Sequence, residues 1–201
     1  TAITDPVSGR SVMLDYGGQP GVTCPTGSAA PAALLCKVDY SAFGLGMTNL
    51  YYSNGHLARI EDPGATGDTP FTDYQYYPNS QLQYVRDVLN NDLIAYGTIT
   101  DPTSTAHMTA LSYDQLGRAS SVTAPVPDTG ASPAPEHSYN YKNVTQTVVA
   151  VANGAVPIYA TTTVDAATGN VTVHTDQLGD STSYTWNGSL LTSTIDPTHL
   201  E

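Results

Sequence analysis

The residues able to do chemistry in this chain are few and badly spaced for it. Five histidines are scattered through it, at His56, His107, His137, His174 and His199. None has a partner at zinc-site spacing, so we read them as surface or turn residues. Ser, His and Asp all occur, but no Gly-x-Ser-x-Gly turn does, and Gly44-Leu-Gly46 is too short to cradle a phosphate. Asp62, Asp87, Asp101, Asp176, Asp180 and Asp196 stand near expected turns, where a carboxylate accepts local backbone N–H bonds. Clustered carboxylates also bind Ca²⁺, but no Asp-x-Asp-x-Asp loop points that way. The expectation is a non-enzymatic chain, with no catalytic residue, no metal site and no cofactor.

The two cysteines, Cys24 and Cys36, flank a Pro/Gly/Ala segment with no metal-ligand spacing and no basic neighbour to activate a thiolate. We read them as a disulfide, which would contribute roughly 3 kcal/mol in the chain-entropy view for a loop this short. The competing reading is two unbonded, partly buried thiols. Scarce Lys, abundant Thr and Tyr and an acidic balance lean toward an exported protein, where disulfides persist. Three Asn-x-Ser/Thr sequons, at Asn143, Asn170 and Asn187, arise easily in a Thr-rich chain and add little.

Composition narrows the partners. The 201 residues carry 6 Lys+Arg against 18 Asp+Glu, a net charge of −12. That balance argues against nucleic acid, which needs basic side chains on its phosphates, and against adsorption to an anionic membrane. No apolar run is long enough to span a bilayer. Thr1-Ala-Ile-Thr-Asp5-Pro6 has neither the basic start nor the apolar stretch of a signal peptide, and both ends look cut from something longer. Gly 17, Pro 14 and Tyr 14, against Phe 2 and Trp 1, read as short strands with frequent turns. Tyr suits a sheet face that is half packed and half wet.

One pattern recurs along the chain. A Tyr, or a substitute, is followed four positions later by Gly, then by two spaced apolar residues, and Asp or Pro closes the unit. The copies begin at Tyr51 (Gly55, closing at Asp62-Pro63), Tyr76 (Ser80 for Gly, closing at Asp87), Tyr113 (Gly117, closing at Pro125), Asp165 (Gly169, closing at Asp176) and Tyr184 (Gly188, closing at Asp196-Pro197). Ile3-Thr-Asp5-Pro6 and Ile99-Thr-Asp101-Pro102 resemble the ends of further units. Each unit reads as a β-hairpin whose turn uses Gly for positive φ, and whose second strand stops where Pro cannot donate. One hairpin is not stable alone in water, so each must be covered by its neighbours.

The stretch Val144–Ile195 independently predicts a five-strand antiparallel meander, with turns at Asn153-Gly154, Asp165–Asn170, Asp176–Asp180 and Asn187-Gly188. Leu82–Tyr96 has mixed periodicity, and the repeat register favours a strand there. Ala29–Leu35 holds at most a turn of helix, broken by Pro31. Ala124–Glu136 is Pro-rich and reads as an exposed loop. The expected fold is all-β: antiparallel hairpin repeats forming a continuous twisted sheet strip. The expected organisation is a cap or insertion at 1–44, repeats at 45–123, the Pro-rich loop at 124–137 and a meander of degenerate repeats at 138–197.

Tyr113-Asp114-Gln-Leu-Gly117-Arg118 matches the Tyr-Asp-x-x-Gly-Arg signature of Rhs/YD-repeat proteins, and Tyr51–Pro63 resembles a variant of the same unit. The resemblance, carried by Tyr51, Gly55, Asp62, Tyr113, Asp114, Gly117, Arg118 and Gly188, covers most of residues 45–197. It implies a secreted or surface protein, bacterial for the most part, whose repeats form a β-strip that spirals into a hollow shell. In toxin relatives the shell encloses an effector, and a core at its end self-cleaves at an Asp-Pro-x-Gly context. Here Asp196-Pro197-Thr-His199 lacks that Gly, so the resemblance extends to the repeat architecture and not to the protease or effector.

Two roles follow. The first is architectural, with neighbouring repeats of the parent chain as partners and a protein cargo inside. The alternative is an adhesin that binds glycan or protein through exposed aromatic faces or strand edges. Tyr51, Tyr52, Tyr74, Tyr76, Tyr77 and Trp186 are its candidate platform, although Tyr51 and Tyr52 must point to opposite faces. Open sheet edges also make self-association an expectation for the isolated segment.

Overall fold

The computed structural model describes residues 1–64, 70–125, 134–152 and 158–197. Among them the chain is all-β, with fifteen strands and one α-helix, and each strand pair described below is antiparallel. The chain divides into two compact units, Thr1–Met108 and Thr109–Glu201.

The first unit holds β1 (Ala2–Thr4), β2 (Ser11–Tyr16), β3 (Leu35–Asp39), β4 (Met47–Ser53), β5 (His56–Glu61), β6 (Phe71–Tyr76) and β7 (Leu82–Arg86). Each strand pairs with the one before and the one after it in the chain. Residues 1–44 thus supply three strands, which continue in order into β4. A disulfide joins Cys24 to Cys36, tying the Gly17–Leu34 connection down to β3.

Leu82–Tyr96 departs from the expected strand. The strand stops at Arg86, and α1 (Val88–Ala95) follows. Asp87 caps this helix, its Oδ1 accepting the backbone N–H of Asn90 at 2.9 Å. The helix carries almost no apolar stripe, and Leu89 is exposed. Buried Asn91 holds it to the sheet instead, donating from Nδ2 to the Phe71 carbonyl at 2.8 Å. Ile99-Thr-Asp101-Pro102 likewise does not end a strand: it follows the helix, and Asp101 closes a local turn by accepting the Thr103 backbone N–H at 2.9 Å.

The second unit holds β8 (Thr109–Tyr113), β9 (Ala119–Thr123), β10 (Glu136–Asn143), β11 (Gln146–Ala152), β12 (Ile158–Val164), β13 (Val171–Thr175), β14 (Ser181–Asn187) and β15 (Leu190–Ile195). These also pair in chain order. The expected five-strand meander is β11–β15. Its last hairpin turns on Gly188-Ser189 rather than Asn187-Gly188, because Asn187 still pairs with Leu190. The Asn153-Gly154 turn, Pro157, His199 and most of the Pro-rich loop lie outside the described residues.

Burial is thin. Among the described residues the buried hydrophobic side chains are Cys36, Ile99 and Met108, while Asp15, Arg86, Asn90 and Asn91 are buried polar ones. Most strand residues are half-buried, so the fold leans on ladder hydrogen bonds and cross-strand pairs more than on a closed core.

Candidate functional site

The signature turn builds itself from backbone requirements. Between β8 and β9, Asp114 donates its backbone N–H to the Arg118 carbonyl at 2.8 Å, and Gly117 donates to the Asp114 carbonyl at 3.0 Å. Gly117 sits at φ +78°, where a Cβ is strained. The Asp114 carboxylate then fills the turn: Oδ1 accepts the backbone N–H of Leu116 at 2.9 Å and of Arg118 at 3.0 Å. Arg118 returns Nε–H to Oδ2 at 2.8 Å and lies 4.1 Å above the Tyr141 ring. The Arg118 backbone N–H is the largest cause holding the Asp114 carboxyl below its ordinary pKa.

The same turn recurs without the full signature. Asp176-Gln-Leu-Gly179-Asp180 repeats it between β13 and β14, with Asp176 Oδ1 accepting from Leu178 at 2.8 Å and Asp180 at 2.9 Å. The tetrapeptide Asp-Gln-Leu-Gly, shared with Asp114–Gly117, was the legible signal for it. Asp5–Arg10 and Asp165–Asn170 form a version one residue longer. In each, the Asp accepts from a Ser or Thr hydroxyl three residues on and from nearby backbone N–H groups. The Ser8 and Thr168 hydroxyls are the leading causes of the lowered Asp5 and Asp165 pKa values. At Tyr77–Gln81 the positive-φ position is Ser80, at +71°.

A second device accompanies the turn. Near the turn end of six hairpins the register slips by one residue on the second strand. The pairs on the turn side of the slip are Tyr16↔Leu35, Tyr52↔Leu57, Tyr76↔Leu82, Tyr113↔Ala119, Val164↔Val171 and Trp186↔Leu191. The unpaired residues are Cys36, Ala58, Gln83, Ser120, Thr172 and Thr192. Such a bulge bends the strand and raises its local twist. An aromatic ring closes five of these pairs. Tyr52, rather than Tyr51, therefore occupies the position that Tyr113 holds, because the Asn54-Gly55 turn is shorter than that of the Asp114 hairpin.

The aromatic candidates separate. Tyr52 donates its hydroxyl to the Leu35 carbonyl at 2.8 Å, and Tyr51 on the opposite face reaches Glu61 Oε1 at 3.5 Å. Tyr74, Tyr76 and Tyr77 line an open cleft of about 600 Å³ with His56, Asn54 and Gln75. His56, read from sequence as a bland turn residue, stacks on Tyr76 with ring centroids 4.8 Å apart. Burial pushes the Tyr51, Tyr52, Tyr74 and Tyr76 hydroxyls above their ordinary pKa. Trp186, in the second unit, donates Nε1–H to the Val171 carbonyl at 2.7 Å and lines a smaller cleft of about 320 Å³ with Tyr184 and Asp165. Asp62 ends β5 and accepts the Thr48 hydroxyl at 2.7 Å.

Among the described residues no group of three or more His, Cys, Asp or Glu side chains is placed to hold a metal ion, and no helix is long and apolar enough to cross a membrane. No family model and no curated protein matches the sequence. Among solved structures, one titled "Crystal Structure of TcdB2-TccC3-Cdc42" aligns with 92% of this chain at 12% identity and a TM-score of 0.25. This chain spans 14% of that chain, and at that score the alignment carries no argument about what this protein does.

Proposed function

We propose that this chain is a non-enzymatic structural repeat segment of a secreted or cell-surface Rhs/YD-repeat protein, building part of a β-shell or stalk. The observation that supports the reading is the recurrence of one backbone device. A carboxylate-capped or Gly-containing turn lies beside a one-residue bulge in the hairpins that turn at Gly55, Asp114, Asp165 and Gly188, which fall in both units. Within each unit, interior strands pair on both sides, so every hairpin templates the next, as additive repeat architectures require. The acidic balance suits a large exported assembly, which it keeps soluble, and the disulfide suits an oxidising compartment.

The test is excision of this segment from the full-length parent, with particle shape followed by electron microscopy and native mass spectrometry. A shortened or opened particle, or the loss of an enclosed fragment, is the expected result. A particle unchanged in shape and contents would count against an architectural role.

The cleft at His56, Tyr74, Tyr76 and Tyr77 favours a second reading, an adhesin that stacks a sugar ring on its aromatic wall. A glycan array probed with the parent protein and with its Tyr76→Ala variant tests it. Binding lost in the variant supports a glycan role, and a flat array removes it.

A further inference from the structure

Four polar side chains of the first unit stand in one row across four consecutive strands. Asp15 on β2 is the register partner of Lys37 on β3. Lys37 is in turn the partner of Asn49 on β4, and Asn49 of Glu61 on β5. Direct cross-strand partners point to the same face with Cβ atoms roughly 4.5–5.5 Å apart. Lys37 Nζ lies 2.7 Å from Asp15 Oδ2, and these side chains are only 20% and 12% exposed. On the far side of Lys37, Asn49 Nδ2 donates to Glu61 Oε1 at 3.3 Å. The Tyr51 hydroxyl also reaches Glu61 Oε1, at 3.5 Å.

The order along the row is base, amine, carboxamide, acid. We propose that Lys37 and Asn49 join in an intramolecular isopeptide bond between β3 and β4. Asp15 takes a proton from the Lys37 ammonium, and the freed amine attacks Asn49 Cγ. The Nζ–Cγ bond forms as the Cγ–Nδ2 bond breaks. Glu61, already on Nδ2, accepts the proton lost by the attacking nitrogen and hands it to the departing one. Ammonia leaves and collects the Asp15 proton, so the products are a secondary amide and one ammonium ion. Every atom comes from the chain itself, and no oxidant or co-reactant is required. The half-buried setting keeps competing water scarce. Together with the neighbouring disulfide at Cys36, the bond would lock β3 covalently on both sides of its start. The inference does not depend on the reading of the repeats.

The experiment is mass spectrometry of the purified protein, intact after disulfide reduction and again after trypsin. The expected intact mass is one ammonia below that of the sequence. Trypsin should fail at Lys37 and release residues 11–59 as a single peptide carrying that deficit. An Asn-Gly succinimide at Asn54-Gly55 gives the same mass loss but leaves Lys37 cleavable and persists in Lys37→Arg, so the two are separable. In Glu61→Gln the bond should form slowly or not at all, with Lys37 and Asn49 both present. A variant that misfolds is recognised by a lost circular-dichroism spectrum, and Asp15→Asn then provides the same reading from the other end of the row. A full-sequence mass with normal cleavage at Lys37 overturns the proposal. So does loss of water with Lys37 joined to Asp15.

Discussion

The Asp114 carboxylate grips Arg118 at both its backbone and its side chain, accepting the Arg118 backbone N–H at 3.0 Å and the Arg118 Nε–H at 2.8 Å. The first bond closes the turn and the second orients the guanidinium over Tyr141. Asp114→Asn keeps a side-chain oxygen for the backbone donors but loses the ion pair, whereas Asp114→Ala loses both. The melting temperature should therefore fall in the order wild type, Asn, Ala. Equal melting of all three would mean that the cap is dispensable.

The capping carboxylates also set an acid limit. Asp5, Asp39, Asp101, Asp114 and Asp165 all have lowered pKa values, in each case led by a hydrogen bond to a nearby hydroxyl or backbone N–H. The unfolded chain protonates first, so this stability is present above the ordinary value of 3.8 and is lost as pH falls through the lowered folded values. The tyrosines act in the opposite range. Tyr51, Tyr52, Tyr74 and Tyr76 are raised above 10.0. Their contribution is present below 10.0 and disappears as pH rises through the folded values. Urea midpoints measured across both ranges should fall at each end. A flat acid limb would contradict the capping role.

Positive-φ positions divide by residue type. Gly117→Val places a β-branched side chain at φ +78° and should cost about 1–3 kcal/mol. Ser80 already bears that strain at φ +71°. Ser80→Gly relieves it at the expense of unfolded-chain entropy, so a gain of about 0.5–1 kcal/mol is expected. Thermal or denaturant melting checks both. A Ser80→Gly variant less stable than the parent would show that the turn rests on the Ser side chain.

Cys36 is fully buried at its bulge, so its bond to Cys24 both closes a loop and fills space. Replacing both cysteines with Ser should cost roughly 3 kcal/mol from loop closure, together with a packing loss at Cys36. Replacing Cys24 alone, with Cys36 kept reduced, isolates the first contribution. A melting temperature insensitive to reductant would remove the disulfide from the stability of the first unit.

Much of the architecture was legible in the sequence, because a hairpin is a local object. Tyr113–Arg118 contains its own cap, positive-φ residue and ion pair within six positions, so pattern and structure coincide there. The same locality made the β11–β15 meander readable from alternating β-branched residues and turn dipeptides. Reading Leu82–Tyr96 as a strand failed because the repeat register was extended past Asp87, whose capping role begins a helix. That helix has no apolar stripe to announce it, and its anchor is the reach of Asn91 to Phe71, twenty residues back in the chain.

By itself, then, the sequence determined the all-β class, the turn chemistry and the cysteine pairing preferred on composition, since each depends on residues a few positions apart. Only the tertiary structure decided which residue opposes which. Strand pairing sets Tyr52 rather than Tyr51 opposite a second-strand aliphatic residue, stacks His56 on Tyr76, and places Asp15, Lys37, Asn49 and Glu61 in a single row. The physical reason is register. A strand's side chains alternate with period two, so one inserted residue moves every later side chain to the other face. No spacing within a single strand records where its neighbour has slipped.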